Sequence, residues 1–157
     1  MDLKLEVIVI PVSDVPRAKA FYEKAGFRLD IEAKPSEDWH CIQFTPPGSE
    51  CSIIFGKGMT TAEPGSFQGI YLVVPDIEAA RAELVERGID VSEVFHDGAG
   101  VFLHGHGKGD FTYPPGFAGK ESGRHPDRAD YGSFATFTDP DGNGWVLQEV
   151  RKRLPGR

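Results

Sequence analysis

Hydrophobic and polar positions follow one pattern twice along the chain. In each copy an apolar run comes first, and then a helical pattern starts at an aspartate and stops at a glycine. The aspartates Asp14 and Asp76 are 62 residues apart, and so are the glycines Gly26 and Gly88. Aspartate caps the start of a helix by accepting hydrogen bonds from backbone N–H groups, and glycine ends a helix by adopting a left-handed conformation. The repeat therefore predicts two copies of a strand–helix unit.

Each predicted helix is followed by a strand and then by a hairpin. The hairpins turn at residues 46–49 and 139–143, where proline and glycine favour tight turns. Pro46 and Pro140 are 94 residues apart, so the second copy carries an insertion, which we assign to residues 98–130. The predicted strands are 5–12, 27–31, 39–45 and 51–55 in the first copy, and 70–74, 89–95, 133–138 and 145–150 in the second.

These elements predict an α+β fold of two βαβββ modules in one chain. Module one spans 1–59 and module two spans 67–151, both within a single domain over 1–157. The insertion is rich in glycine, proline and histidine, and loops of its length are usually functional or mobile. A surface loop that covers the core or a partner is the alternative interpretation.

Composition limits the classes of function. The net charge of −7 argues against a protein that binds nucleic-acid phosphates, and it would suit cationic ligands. The apolar runs have the length of strands, so no membrane span is expected. No basic region precedes an apolar run near the start of the chain, so we expect a cytoplasmic protein. There we expect Cys41 and Cys51 to be reduced thiols.

The combination of motifs resembles the vicinal oxygen chelate superfamily of glyoxalases, extradiol dioxygenases and bleomycin-resistance proteins. It is carried by Arg17-Ala18 and Phe21-Tyr22 in the first helix, Gly26-Phe27 after it, and Asp139-Pro140-Asp141-Gly142-Asn143 in the last turn. The resemblance implies that each module curls a mixed sheet around a cavity. It also implies a homodimer.

The resemblance further implies four metal-ligand positions on the first and last strands of the modules. In this chain they are Val7, Ser52, Gly69 and Val146. Valine and glycine have no donor atom in their side chains, and a neutral serine is a poor ligand. We therefore expect neither a metal nor another cofactor at this site, with a divalent metal as the alternative.

Alternate side chains of a curled strand point into its cavity, which predicts a set of ligand contacts. The set combines apolar walls with a few hydrogen-bonding groups, and this mixture suits an aromatic or amphipathic small molecule. The alternative is that the same side chains fill the interior as core. The expected contacts are Trp39, Gln43, Ser52, Tyr71 and Gln148, with His40 replacing Trp39 and Gln43 if the strand is shifted by one residue.

Histidines in the insertion could supply a catalytic base or metal ligands. His104 and His106 are candidates for a catalytic base, or for a metal pair with Asp97 or Asp110. The alternative is a solvated loop, because no strand or helix fixes the pair. The sequence thus favours a metal-free small-molecule-binding protein. The alternatives are a glyoxalase-like lyase, isomerase or dioxygenase that uses the insertion, and a module that binds another protein.

Overall fold

The computed structural model describes residues 1–97 and 119–155, and the chain divides into two compact units. The first unit is Met1–Phe67 together with Asp139–Asn143, and the second is Gln68–Thr138 with Gly144–Arg157. The elements are β1 (Val7–Val9), α1 (Val15–Lys24), β2 (Arg28–Ser36), β3 (Trp39–Thr45), β4 (Ser52–Lys57), β5 (Ile70–Val74), α2 (Ile77–Glu86), β6 (Phe95–Asp97), β7 (Lys120–Ser122), β8 (Ser133–Thr138) and β9 (Gly144–Glu149).

The first unit packs one helix on one face of a four-stranded sheet. The strand order is β1-β4-β3-β2, with β1 parallel to β4 and the other neighbours antiparallel. Asp14 caps α1 by accepting a hydrogen bond from the backbone N–H of Arg17, as the sequence predicts. The ring of Tyr22 on α1 lies 6.2 Å from that of Phe44 and 5.4 Å from that of Phe55, so these two side chains face the helix.

The second unit repeats this arrangement and extends it. Its strand order is β5-β9-β8-β6-β7, and β5 is parallel to β9. The first four strands have the order found in the first unit, which confirms the repeat of strand, helix and three strands. The added edge strand β7 lies within the predicted insertion. Asp76 caps α2 by accepting hydrogen bonds from the N–H groups of Glu78 and Ala79.

Two strands are shorter than the sequence predicts. β1 covers only Val7–Val9, although the N–H of Ile10 just after it still donates a hydrogen bond of 2.8 Å to the carbonyl of Ile54. β6 starts at Phe95 rather than at 89. In the segment before β6, the carbonyl of Ser92 accepts a hydrogen bond of 2.7 Å from Nε of Arg81. A side chain of α2 thus takes a backbone acceptor that a longer strand would use.

Both cysteines are free thiols, with Cys41 buried and Cys51 half-buried. Burial raises the pKa of each thiol, which makes both poor nucleophiles at neutral pH. Within residues 1–97 and 119–155, the helices are too short or too polar to cross a lipid bilayer.

The cap of α2 should make stability depend on pH. The hydrogen bond from the Ala79 N–H, helped by the charges of Arg124 and Arg128, lowers the pKa of the Asp76 carboxyl. A lowered pKa stabilises the fold above the unfolded-state value of about 3.9, and this contribution is lost as the pH falls through the folded-state pKa. Asp76→Asn keeps a capping side chain without the charge.

We therefore expect the wild type to have a higher urea midpoint of unfolding than Asp76→Asn at pH 7. The gap between the two midpoints should close as the pH falls from about 4 towards about 2, where both side chains are neutral. A gap of the same size at every pH would show that the charge of Asp76 contributes nothing to the stability.

Candidate functional site

The face of the first sheet that points away from α1 is the candidate binding surface. Because Phe44 and Phe55 face the helix, their chain neighbours on β3 and β4 point to the opposite face. We call this opposite face the open face. One row of register partners crosses all four strands on it: Val9, Ile54, Gln43 and Ile31. Ile31 is 50% exposed, and the other three are half-buried.

Gln43 is the polar member of this apolar row. Its amide makes no hydrogen bond with any residue in 1–97 or 119–155. Because Gln43 is only half-buried, water satisfies its amide until a ligand takes the place of that water. In this row Gln43 therefore presents an amide N–H₂ donor and a carbonyl acceptor among the side chains of Val9, Ile54 and Ile31.

A second row on the open face is polar. Ser52 is the register partner of Val7, and its Oγ lies 2.7 Å from Oγ1 of Thr45. The hydroxyl of Thr45 donates a hydrogen bond to the carboxylate of Asp30, which Nε of Arg28 also contacts at 2.7 Å. These bonds, first that from Thr45 and then that from Arg28, lower the pKa of Asp30.

Trp39 and His40 lie on opposite faces of the first sheet. Nε2 of His40 lies 3.2 Å from Glu32, whose carboxylate also accepts a hydrogen bond of 2.6 Å from Lys19 on α1. His40 is therefore on the helix side of the sheet. Alternation puts Trp39 on the open face with Gln43, and Trp39 is 37% exposed. Of the two sets that the sequence left open, Trp39 and Gln43 share the open face and His40 does not, whereas their contact with a ligand stays a prediction.

The corresponding face of the second sheet is packed. Phe95, Phe134 and Val146 form a buried cluster, and Tyr71 packs against it. Burial raises the pKa of the Tyr71 hydroxyl. Gln148 is 7% exposed, and its amide nitrogen donates a hydrogen bond of 3.2 Å to the carbonyl of Tyr131. A role for Tyr71 and Gln148 in binding a ligand stays a prediction.

The four positions that correspond to family metal ligands form two pairs of neighbours. Val7 pairs with Ser52 across β1 and β4, and Tyr71 pairs with Val146 across β5 and β9. The position assigned to Gly69 therefore belongs to Tyr71. Gly69 precedes β5 and has φ +71°, a conformation outside the strand region.

These residues do not fit a divalent cation. Two valines offer no donor, and serine and tyrosine are neutral oxygens at ordinary pH, whereas such ions are held by carboxylate, imidazole or thiolate groups. Within the part of the chain that the structure describes, no group of three or more histidines, cysteines or acidic residues could hold a metal. His104, His106 and Asp110 lie outside the described residues.

Two histidines of the second unit, His96 and His125, have partners close to them in the fold. The rings of His96 and His125 are 5.6 Å apart. Nδ1 of His96 lies 2.9 Å from the carbonyl of Gly123, and Nδ1 of His125 accepts a hydrogen bond from the N–H of Asp127. These contacts hold the segment after β7 against the second sheet.

A groove of about 800 Å³ lies beside the start of α1 in the first unit. Its lysines already have partners within the chain. Nζ of Lys34 lies 3.1 Å from the Glu37 carboxylate, and Nζ of Lys57 donates to the Glu37 carbonyl at 2.6 Å. We therefore prefer the open face, where Gln43 has no such partner among residues 1–97 and 119–155.

Sequence reasoning missed Asp30 and Thr45. The alternation that selected Gln43 on β3 also reaches Thr45, so this residue could have been found. Asp30 could not, because the pairing of β2 with β3 shifts between Leu29 and Ile31. Such a bulge re-aims a side chain in a way that strict alternation does not predict.

Comparisons with known proteins agree on the fold. The model of the Glyoxalase/Bleomycin resistance protein/Dioxygenase superfamily matches residues 4–116. The chain is similar to TnmS3, described as an antibiotic binding protein from Streptomyces sp. CB03234, with 29% identity, a TM-score of 0.62, and coverage of 95% of this chain and 97% of that one. No curated protein sequence gives a significant match.

Two further solved structures are similar over nearly their whole length. A glyoxalase/bleomycin resistance protein from Streptomyces sp. CB03234 has 29% identity and a TM-score of 0.59, with coverage of 92% of this chain and 99% of that one. A member of the same superfamily from Sphaerobacter thermophilus DSM 20745 has 25% identity and a TM-score of 0.60, with coverage of 94% and 98%.

Proposed function

The chain belongs to the glyoxalase/bleomycin resistance protein/dioxygenase superfamily, and we propose that it binds aromatic or amphipathic small molecules on its open face without a metal ion. The observation that carries the proposal is Gln43. Its amide has no hydrogen-bonding partner among the described residues, although it sits in the middle of an apolar row. A ligand with a polar group on an apolar body would satisfy the amide and cover the row.

The residues at the family's metal positions support the metal-free part of the proposal. Val7 and Val146 have no donor atoms, so a cation at these positions would have at most the neutral oxygens of Ser52 and Tyr71. The similarity to an antibiotic binding protein at 29% identity is consistent with binding rather than turnover. Ligand contacts are proposed for Trp39, Gln43 and Ser52.

An enzyme that uses His104 or His106 stays a prediction from the sequence alone. The metal content of the purified protein distinguishes it: a stoichiometric transition metal that is lost from a variant without both histidines would favour the enzyme. The homodimer and the cytoplasmic location also stay predictions.

Gln43→Leu should separate binding from stability. The variant replaces an amide that has no partner among the described residues with an apolar side chain beside Val9, Ile54 and Ile31, so the melting temperature should not fall. Binding should weaken about fivefold to tenfold, because one hydrogen bond is worth about 1 kcal/mol.

The measurement is a thermal-shift screen of bicyclic aromatic compounds with one polar substituent, beginning with 2-naphthol, followed by titration of those that bind. A ligand that binds only the folded chain must raise the melting temperature. Gln68→Leu makes the same change outside the sheet and should keep the affinity. Equal affinities for wild type and Gln43→Leu would show that Gln43 does not contact the ligand. If none of the compounds binds, the proposed function is contradicted.

A further inference from the structure

The hydrogen bonds of the polar row on the open face run in one donor-to-acceptor direction, which the available hydroxyl hydrogens determine. Thr45 has one hydroxyl hydrogen, and it is donated to the carboxylate of Asp30. The carboxylate is an acceptor only, because Thr45 and Arg28 both stabilise its charged form. The hydroxyl of Ser52, with its Oγ 2.7 Å from Oγ1 of Thr45, must therefore donate its own hydrogen to Thr45.

This arrangement leaves Ser52 with lone pairs and no hydrogen to offer. Reversing it would aim the lone pairs of Thr45 at the Asp30 carboxylate, which is repulsive. Thr45 and Ser52 are 7% and 6% exposed, so little water competes for their mutual hydrogen bond. Val7, the register partner of Ser52, is 38% exposed, which leaves this end of the row within reach of a ligand on the open face.

We propose that Ser52 sets the ligand specificity of the open face as an obligate acceptor, so that the face selects molecules presenting an N–H or O–H donor. Thr45 and Asp30 are positioning residues that act through Ser52. The inference rests on the proposed function and adds the polarity of the ligand to it. Because Arg28 already pairs with Asp30 at 2.7 Å, the ligand's donor need not be charged.

A ligand that offers only an acceptor meets the lone pairs of Ser52. Sites that are built to hydrogen-bond one polarity reject the other, because the polar group of the site is left without a partner. We expect about a tenfold difference in affinity, which corresponds to about 1.4 kcal/mol.

The test compares 2-naphthol, which has an O–H donor, with 2-methoxynaphthalene, in which a methyl group replaces that hydrogen. Wild type should bind 2-naphthol about tenfold more tightly. Ser52→Ala should weaken 2-naphthol, and it should bind the ether at least as tightly as wild type does, because the opposing lone pairs are gone. Fluorescence titration measures both affinities, and the melting temperature of each variant checks its fold.

Thr45→Val is the decisive variant, because it keeps the shape of the side chain and releases the hydrogen of Ser52. The ether should then bind more tightly than it does to the wild type, and the preference for 2-naphthol should largely disappear. A damaged fold would weaken both ligands and could not produce this gain. Thr45→Ser keeps the hydroxyl and should keep the wild-type preference.

An unchanged preference in Thr45→Val would overturn the inference. If both compounds bind equally to wild type, and Gln43→Leu still weakens them, then the proposed function stands and the role of Ser52 is wrong. If neither these two compounds nor any other in the bicyclic series binds, both proposals fail.

Discussion

Replacing Asp139 with alanine should destabilise the chain by about 3–4 kcal/mol. The carboxylate is 3% exposed and accepts hydrogen bonds from the hydroxyl of Tyr22 at 2.9 Å and from the side-chain amide of Asn143 at 2.8 Å. It also accepts from the backbone N–H groups of Asp141 and Asn143, both at 2.9 Å. Each buried donor left without an acceptor costs about 1–3 kcal/mol, with partial relaxation offsetting some of the sum.

Urea unfolding measures this loss, and Asp127→Ala is the matched control. Asp127 is exposed, so its replacement should change the free energy of unfolding by at most about 0.5 kcal/mol. Tyr22→Phe adds a double-mutant cycle: it should cost about 1 kcal/mol alone and much less in the Asp139→Ala background. Additive costs would mean that the two groups do not interact.

Glu149→Ala should have the second largest effect, a loss of about 2–3 kcal/mol in the second unit. Glu149 is fully buried, and its carboxylate accepts hydrogen bonds of 3.1 Å from the N–H of Ile77 and from Nη2 of Arg128. Arg124 lies 3.7 Å away. Both arginines are partly exposed and can regain water, whereas the N–H of Ile77 is at the buried start of α2 and cannot.

Glu93→Ala is the matched control for Glu149, since it removes the same kind of side chain from an ion pair at the surface. Glu93 is 85% exposed in its pair with Arg81, and such pairs contribute about 0–1 kcal/mol. Glu149→Gln keeps an acceptor for Ile77 and should fall between wild type and Glu149→Ala. If the two alanine variants have the same urea midpoint, the buried carboxylate contributes no more than the exposed one.

The repeat made the architecture predictable from the sequence. Aspartate caps and glycine stops are local signals, and each needs only its own turn of helix to act. The strand order of both sheets follows once two βαβββ copies are recognised. The extra strand β7 does not follow, because nothing in the composition of residues 98–130 distinguishes three paired residues from a loop.

Register was the weaker part of the sequence prediction. A count of seven residues back from each cap gives Val7 before Asp14 and Gly69 before Asp76, whereas the strand pairing puts Tyr71 at the second position. The count fails because only Pro75 separates β5 from its cap, whereas four residues separate β1 from Asp14. The longer connection between β1 and Asp14 is held by the last turn, because the carbonyl of Pro11 accepts a hydrogen bond from the Asn143 side chain.

The candidate site was partly predictable for a similar reason. Alternation alone groups Trp39 with Gln43, but only the packing of α1 decides which side of the sheet they occupy. The polar row of Asp30, Thr45 and Ser52 depends on a bulge and on two pairings between strands. A pairing is a property of two distant segments, and one sequence does not specify it.

The turn at residues 139–143 also has a consequence for how the chain acquires its structure. Tyr22 and Asp139 are separated by 117 residues, and Pro11 and Asn143 by 132, yet both pairs belong to the first unit. During synthesis, proteins commonly fold from the N-terminus one domain at a time. Here the first unit lacks its buried acceptor Asp139 until 117 residues after Tyr22 have been made. Contacts so distant in sequence also slow folding, so this unit reaches its final structure late although it is made first.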